Sequence, residues 1–195
     1  NVSREMLQHN VLVGHIKKAL VKRIFSELKK KATKKPEEYA NFWNNFGAVL
    51  KEGLYEDHDN RDTLLELTRF NSTLNDDLLS LEDYVGRMNN GQEEIFYITG
   101  DDAQTLKTSP QIEGFKSKGV EVLLLTDPVD EFWLPMIGAF EEKTFKSVTR
   151  GGDDLSAIKS GDADDETKNE ETSGSEDIDR LIAALKLSLG DAVKD

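Results

Sequence analysis

The chain has 195 residues, a mean hydropathy of -0.56 and no cysteine, so disulfide bonds, thiolate metal sites and cysteine nucleophiles are excluded. Its apolar runs are only a few residues long, for example Val122–Leu125, and are far too short to cross a bilayer. No basic stub followed by an apolar stretch opens the chain, so we expect a cytoplasmic protein. Since the sequence begins with Asn1 and not with Met, we also expect a fragment of a longer protein.

The net charge of -13 is unevenly distributed. Residues 1–35 hold ten Lys and Arg against two Glu, whereas the rest holds 15 Lys and Arg against 36 Asp and Glu. The basic first helix could bind nucleic acid or an anionic membrane as an electrostatic interaction module. Alternatively, it pairs with the chain's own carboxylates, and we favour this second interpretation.

Residues 1–70 predict a helical coil. Leu and Ile recur every four residues from Leu12 to Leu28, which is the pattern of a long amphipathic helix. Pro36 suits the first turn of a second helix, and Gly53 suits its end. A third, shorter helix is expected from Asn60. Two long helices with a short connection should pack antiparallel.

Residues 71–150 alternate between strand and helix patterns. Ser80 with Asp83 three residues later resembles a capping box at a helix start. The strand candidates are rich in β-branched and aliphatic residues: Ile95–Thr99, Val120–Thr126 and Thr144–Thr149. Strands separated by helices are typical of βαβ crossovers. The fold class is therefore α/β, with the helical coil followed by a small three-layer α/β/α domain that has a mainly parallel sheet.

Residues 151–175 are acidic and have no aromatic side chain, so we expect a flexible linker. Residues 176–195 predict one more amphipathic helix, from Ile178 to Leu189. Its apolar face has no evident partner in this sequence, and we assign it to the start of a following, truncated domain.

Motifs for catalysis or metal binding are weak. The chain has no phosphate-binding glycine loop, no paired His or Cys ligands and no serine elbow, which disfavours a free-standing enzyme. Asp127, Asp130 and Glu131 could bind a cation, but carboxylates near helix starts more often serve as caps. Arg4 is the anomaly, because a cation in a first helical turn opposes the helix dipole. With Gln8 one turn later, it would suit a phosphate supplied by another domain.

Five ordered motifs resemble the middle domain of the heat-shock protein 90 chaperone family, and their texture is closest to the bacterial members. They are Asn1–Gln8, Gly53–Asp57 with Asn60 and Arg61, Ser80–Val85 with Arg87 and Met88, Ile95–Gly100, and Thr126–Glu131. The resemblance covers residues 1–149. It implies a homodimeric, ATP-driven chaperone of client proteins, dimerised through a C-terminal domain, with ATP and magnesium held in an N-terminal ATPase domain outside this chain.

The resemblance also implies roles for particular residues. Arg4 and Gln8 match the family positions that reach the ATP γ-phosphate on domain closure, so Arg4 is the candidate catalytic residue. Glu131, Phe132 and Trp133 match a segment thought to contact unfolded clients. In relatives an aromatic Tyr or Trp follows the Glu directly, whereas here Phe132 and Trp133 follow in turn. We expect no cofactor bound to this fragment, and neither nucleic acid nor membrane as a partner.

Overall fold

The structure is a computed structural model that describes residues 11–149 and Ile158. The helices are α1 (Val11–Lys34), α2 (Pro36–Glu56), α3 (Arg61–Leu67), α4 (Leu81–Gly86), α5 (Ala103–Lys107), α6 (Glu113–Ser117) and α7 (Asp130–Ile137), with 3-10 turns at His58–Asn60 and Pro110–Ile112. The strands are β1 (Asn71–Ser72), β2 (Glu94–Thr99), β3 (Leu123–Leu125), β4 (Ala139–Phe140) and β5 (Lys143–Ser147). The predicted fold class, a helical segment followed by an α/β segment, is confirmed.

Helix α2 is the centre of the helical segment. Its buried residues fall at intervals of three or four, as one face of a helix requires: Tyr39, Trp43, Gly47, Lys51 and Leu54. At the start of α2 the buried Tyr39 hydroxyl donates to the Leu67 carbonyl at 2.7 Å, which holds the end of α3. Burial raises the pKa of Tyr39 to about 12, so this hydroxyl stays a donor at neutral pH.

The sheet has the strand order β1-β3-β2-β5-β4. Its inner pairs, β2 with β3 and β2 with β5, are parallel, and both edge pairs are antiparallel. The parallel pairs account for the strand–helix–strand pattern of the sequence. The short edge strands β1 and β4 were not predicted, because two residues give no periodic signal.

Alternate side chains of β2 and β3 enter two different apolar clusters. Ile95 and Leu123 pack with Trp133 and the helices of the coil, whereas Phe96 and Leu124 pack with α5 and α6. This alternation follows from the two-residue period of a strand. The sheet therefore has a core on each face.

Helix α4 begins with the predicted capping box. The Ser80 hydroxyl accepts from the Asp83 amide at 3.0 Å, and the Asp83 carboxylate accepts from the Ser80 amide at 3.3 Å. A side-chain hydrogen bond from Ser80 is the main reason that the pKa of Asp83 lies below its ordinary value. This cap fixes α4 against the sheet, where the buried Tyr84 hydroxyl donates to the Glu121 carbonyl at 2.7 Å.

Ile158 lies in the stretch that the sequence analysis assigned to a flexible linker. It is only 6% exposed and belongs to the cluster that contains Phe96, Phe115 and Val148. The other residues of the predicted linker, and the predicted helix within 176–195, lie outside the described residues. At Ile158 the chain is thus part of the core of the α/β segment.

Helix α1 contacts α2, but only part of its apolar stripe is covered. Phe25 and Leu28 contact the apolar clusters, but the apolar side chains that precede Phe25 in the stripe are exposed: Leu12, Ile16, Leu20 and Ile24. The amphipathic pattern identified the helix correctly without identifying what covers it. None of the described helices is both long and apolar enough to span a membrane.

Candidate functional site

The predicted nucleotide contacts, Arg4 and Gln8, lie outside the described residues. The predicted client segment lies at the start of α7, where Glu131 and Phe132 are exposed. Trp133 is fully buried, and its ring contacts those of Phe70 and Phe145. Trp133 is therefore corrected from a candidate contact residue to a core residue, because one turn of a helix directs successive side chains 100° apart.

Trp133 is also bonded to a buried ionic group. Its indole nitrogen donates to Asp130 Oδ1 at 2.7 Å. The ammonium of Lys51 lies 2.9 Å from the same oxygen and donates to Asp127 Oδ2 at 2.8 Å. The Lys51 ammonium also lies 4.9 Å from the centre of the Phe70 ring, in a cation–π contact. A single lysine of α2 thus joins the end of β3 to the first turn of α7.

The two carboxylates of this group differ in environment. The Asp130 side chain is 1% exposed, whereas that of Asp127 is 35% exposed and borders a polar cavity of about 170 Å³. Burial raises the pKa of Asp130 above its ordinary value, while the charge and hydrogen bond of Lys51 and the Trp133 indole act in the opposite direction. Lys51 is therefore the main group that opposes the effect of burial on the Asp130 carboxylate beneath α7.

The same group defines the start of α7. The Asp127 amide donates to Asp130 Oδ2 at 3.2 Å, and the Asp130 amide donates to the Asp127 carbonyl at 2.9 Å. Asp127 and Asp130 thus form the turn that leads into α7, and both carboxylates also pair with Lys51. Among the described residues no group of three or more His, Asp or Glu is arranged to hold a metal ion. The alternative interpretation of this acidic segment as a cation site receives no support from that geometry.

An exposed aromatic pair lies above this buried group. The ring of Phe132 meets that of Tyr55, at the end of α2, with centroids 6.2 Å apart and planes at 72°. This edge-to-face geometry is favourable for aromatic rings. Tyr55, Phe132 and Met136 are nevertheless 48%, 60% and 42% exposed. We call these three residues the aromatic patch.

Sequence reasoning missed Lys51 and Tyr55. Lys51 occupies a position of the buried α2 face, four residues after Gly47, and a lysine on an apolar face signals a buried partner. Tyr55 stands in the Gly53–Asp57 motif that carried part of the family resemblance. Its pairing with Phe132, 77 positions later in the chain, depends on the packing of α2 against α7, which no local pattern encodes.

Several Lys and Arg side chains of α1, and Lys35 after it, form ion pairs with glutamates of the same chain. Glu27 pairs with Arg23 at 2.9 Å and with Lys30 at 3.1 Å, and Glu66 of α3 pairs with Lys29. Glu38 of α2 likewise pairs with Lys31 and Lys35. This pairing fits the interpretation in which the basic block complements its own acidic chain.

Comparison with known proteins places these features in a family. The model of the Hsp90 protein family matches residues 1–195. The chain is 55% identical over 195 residues to the chaperone protein HtpG of Roseobacter denitrificans and 53% identical to that of Paramagnetospirillum magneticum. The chaperone protein HtpG of Gluconobacter oxydans is 47% identical. All of this chain takes part in each match, and it spans 31%, 31% and 30% of the three relatives.

A solved structure is similar as well. The middle domain of a Plasmodium falciparum heat shock protein superposes with a TM-score of 0.66 at 28% identity, over 73% of this chain and 61% of that one. The fold is that of an Hsp90 middle domain. The chain belongs to the Hsp90 family, and these three relatives are bacterial HtpG chaperones of which it spans about a third.

Proposed function

We propose that this chain is the later part of the middle domain of an ATP-dependent molecular chaperone, followed by the opening of its C-terminal domain. The observation that supports the proposal most strongly is the match of all 195 residues to the Hsp90 family. The whole protein would be a cytoplasmic homodimer that binds unfolded or partly folded clients. ATP and magnesium would be held by its N-terminal domain, and this chain alone would have no ATPase activity.

Arg4 is proposed to contact the ATP γ-phosphate when the domains close, with Gln8 beside it. A guanidinium stabilises the charge that develops in phosphoryl transfer only when another domain brings the phosphate to it. In the full-length protein, Arg4→Ala should lower ATP turnover by about 10- to 1000-fold and change nucleotide affinity much less.

Steady-state kinetics on the full-length protein test this role, with thermal melts as the control for folding. Arg4→Lys should not restore full turnover, because a point charge does not reproduce the planar guanidinium fork. Unchanged turnover in Arg4→Ala, or turnover lost only in proportion to unfolding, would reduce Arg4 to a surface residue.

Glu131 and Phe132 are proposed to contact clients. The exposed ring of Phe132 supports this proposal because it adjoins the exposed ring of Tyr55, and contiguous apolar surface is typical of interaction sites. Phe132→Ala should weaken the suppression of client aggregation without lowering the melting temperature, because the side chain is largely exposed. An aggregation assay with a thermally unfolded model client measures the first property. Full suppression by the variant would remove Phe132 from the site.

A further inference from the structure

The aromatic patch combines residues from two separate parts of the fold. Tyr55 ends the central helix of the coil, whereas Phe132 and Met136 lie one turn apart on α7 of the α/β segment. The two rings already touch, yet each remains about half exposed. A ligand that covers Phe132 would therefore contact Tyr55 as well, and neither ring would need to move.

One exposed carboxylate adjoins this patch on each of its two helices. Glu52 lies one helical turn before Tyr55 on α2, whereas Glu56 borders a cavity lined by Lys18, Lys22 and Lys29 of α1. On the second helix Glu131 directly precedes Phe132. Glu52 and Glu131 are both exposed. The rim of the patch is thus negatively charged on both of its elements.

Two cations near Tyr55, Lys51 and Arg61, are engaged elsewhere. Lys51 is 3% exposed and is held by Asp127 and Asp130 beneath the patch. Arg61 donates from Nε to the Leu54 carbonyl at 2.9 Å and also contacts His58. Neither of these two residues therefore supplies a counter-charge to Glu52 or Glu131.

We infer that Tyr55, Phe132 and Met136 form one docking surface for unfolded segments that carry apolar side chains flanked by Lys or Arg. The aromatic rings supply the apolar contact, and Glu52 and Glu131 select positive charge beside it. Tyr55 is a contact residue of this surface rather than a support for Phe132. The inference rests on the proposed client binding and names the class of segment bound.

The test uses the full chain and two labelled peptides of equal length and equal Leu content, one flanked by Lys and the other by Glu. Fluorescence anisotropy gives the dissociation constants. The Lys-flanked peptide should bind about 3- to 10-fold more tightly at low salt, and the difference should shrink as salt screens the exposed charges. The double variant Glu52→Gln, Glu131→Gln should lose the difference between the peptides, whereas Glu56→Gln, beside the lysines of α1, should retain it.

Truncation of the aromatic side chains tests the composite surface. Tyr55→Ala should weaken binding of the Lys-flanked peptide by about 5- to 30-fold, and Tyr55→Phe should retain it. Phe46→Ala is the matched control, because Phe46 is an exposed ring on the opposite face of α2. It should leave the dissociation constant unchanged. Thermal melts of each variant establish that its fold is intact.

Two different failures are distinguishable. If Phe132→Ala weakens binding but Tyr55→Ala behaves like Phe46→Ala, or if both peptides bind equally, the composite and charge-selective surface is overturned while client binding at α7 stands. If neither peptide binds the wild-type chain, the proposed client contact of this segment fails, and this inference fails with it.

Discussion

Lys51 and Asp130 lie 79 positions apart in the chain and meet with the lysine Nζ 2.9 Å from Oδ1 of the carboxylate, both side chains almost fully buried. This pair ties the helical coil to the helix that carries Phe132. Removing one partner of a buried pair leaves the other charge without compensation, which costs more than the pair itself contributes. Lys51 is therefore the residue on which the orientation of α7 depends most directly.

Lys51→Met should lower the free energy of unfolding by about 3 to 5 kcal/mol at neutral pH, because Asp130 and Asp127 would remain beside an apolar side chain. Urea denaturation measures the change. The pKa of Asp130 is already raised in the folded state, so its contribution to stability is largest below the unfolded pKa and is lost as pH rises through the folded pKa. Without Lys51 the pKa of Asp130 should rise further in the folded state, so the deficit of the variant should shrink as pH falls towards the ordinary Asp pKa of about 4 and the carboxyl is protonated.

Lys17→Met provides the matched control for this variant. Lys17 is an exposed lysine of α1, and its replacement should change the free energy of unfolding by less than about 0.5 kcal/mol. Equal effects of the two substitutions would mean that the buried group contributes nothing specific to the packing of α2 on α7.

Ser80→Ala should destabilise the protein by about 1 kcal/mol, because α4 loses its N-cap. The pKa of Asp83 is lowered in the folded state, so its stabilising contribution is present above the unfolded pKa and is lost as pH falls through the folded pKa. Without the Ser80 hydroxyl, the melting temperature should depend less on pH in the acidic range below about 4. Parallel melting curves of variant and wild type across that range would contradict this role of the cap.

Gly47→Ala and Gly14→Ala should have opposite effects, although both glycines lie inside long helices. A Cβ at Gly14 meets nothing within 4 Å, so the better helix propensity of Ala should stabilise the protein by about 0.5 to 1 kcal/mol. At Gly47 the Cβ would lie 2.7 to 2.9 Å from atoms of the Trp43 indole. Trp43 is buried against Tyr39 and Leu67, so its ring must shift at a cost that exceeds the propensity gain.

Thermal melts give the sign of each glycine substitution, and tryptophan fluorescence reports the displacement of Trp43 in Gly47→Ala. A stabilised Gly47→Ala variant with an unchanged emission spectrum would show that the indole has room to spare.

Ile158→Ala should lower the free energy of unfolding by about 2 to 4 kcal/mol, as expected for removing a buried isoleucine from a packed cluster. Val49→Ala, at an exposed apolar position of α2, is the control and should change it by less than about 0.5 kcal/mol. Denaturant unfolding of both variants provides the comparison. Equal stability of the two would mean that Ile158 contributes no packing energy.

The sequence predicted the features that depend on local periodicity and capping. Helix α2, the cap at Ser80 and the inner strands follow from patterns within a few residues, and the structure agrees with them. Contacts between distant segments could not be predicted in this way. The pairing of Tyr55 with Phe132 and the burial of Lys51 arise only when α2 lies against α7.

The choice between two adjacent aromatic residues shows the same limit. Composition does not distinguish Phe132 from Trp133, but helix α7 has one face on the core and directs only one of the two rings inward. The indole takes the buried position, where Asp130 accepts from its N–H, and the phenyl ring, which needs no hydrogen bond, is left outside.

The burial of Ile158 limits where the α/β segment can be cut without damage. A cut at residue 150, where the composition turns acidic, would leave intact every strand of the described sheet and still open a hole beside Phe96 and Phe115. A shortened chain that ends there should show a loosened outer face of the sheet, with α5 and α6 exchanging their amide hydrogens sooner than α2 and α3. The end of the last strand is therefore not the end of the folding unit.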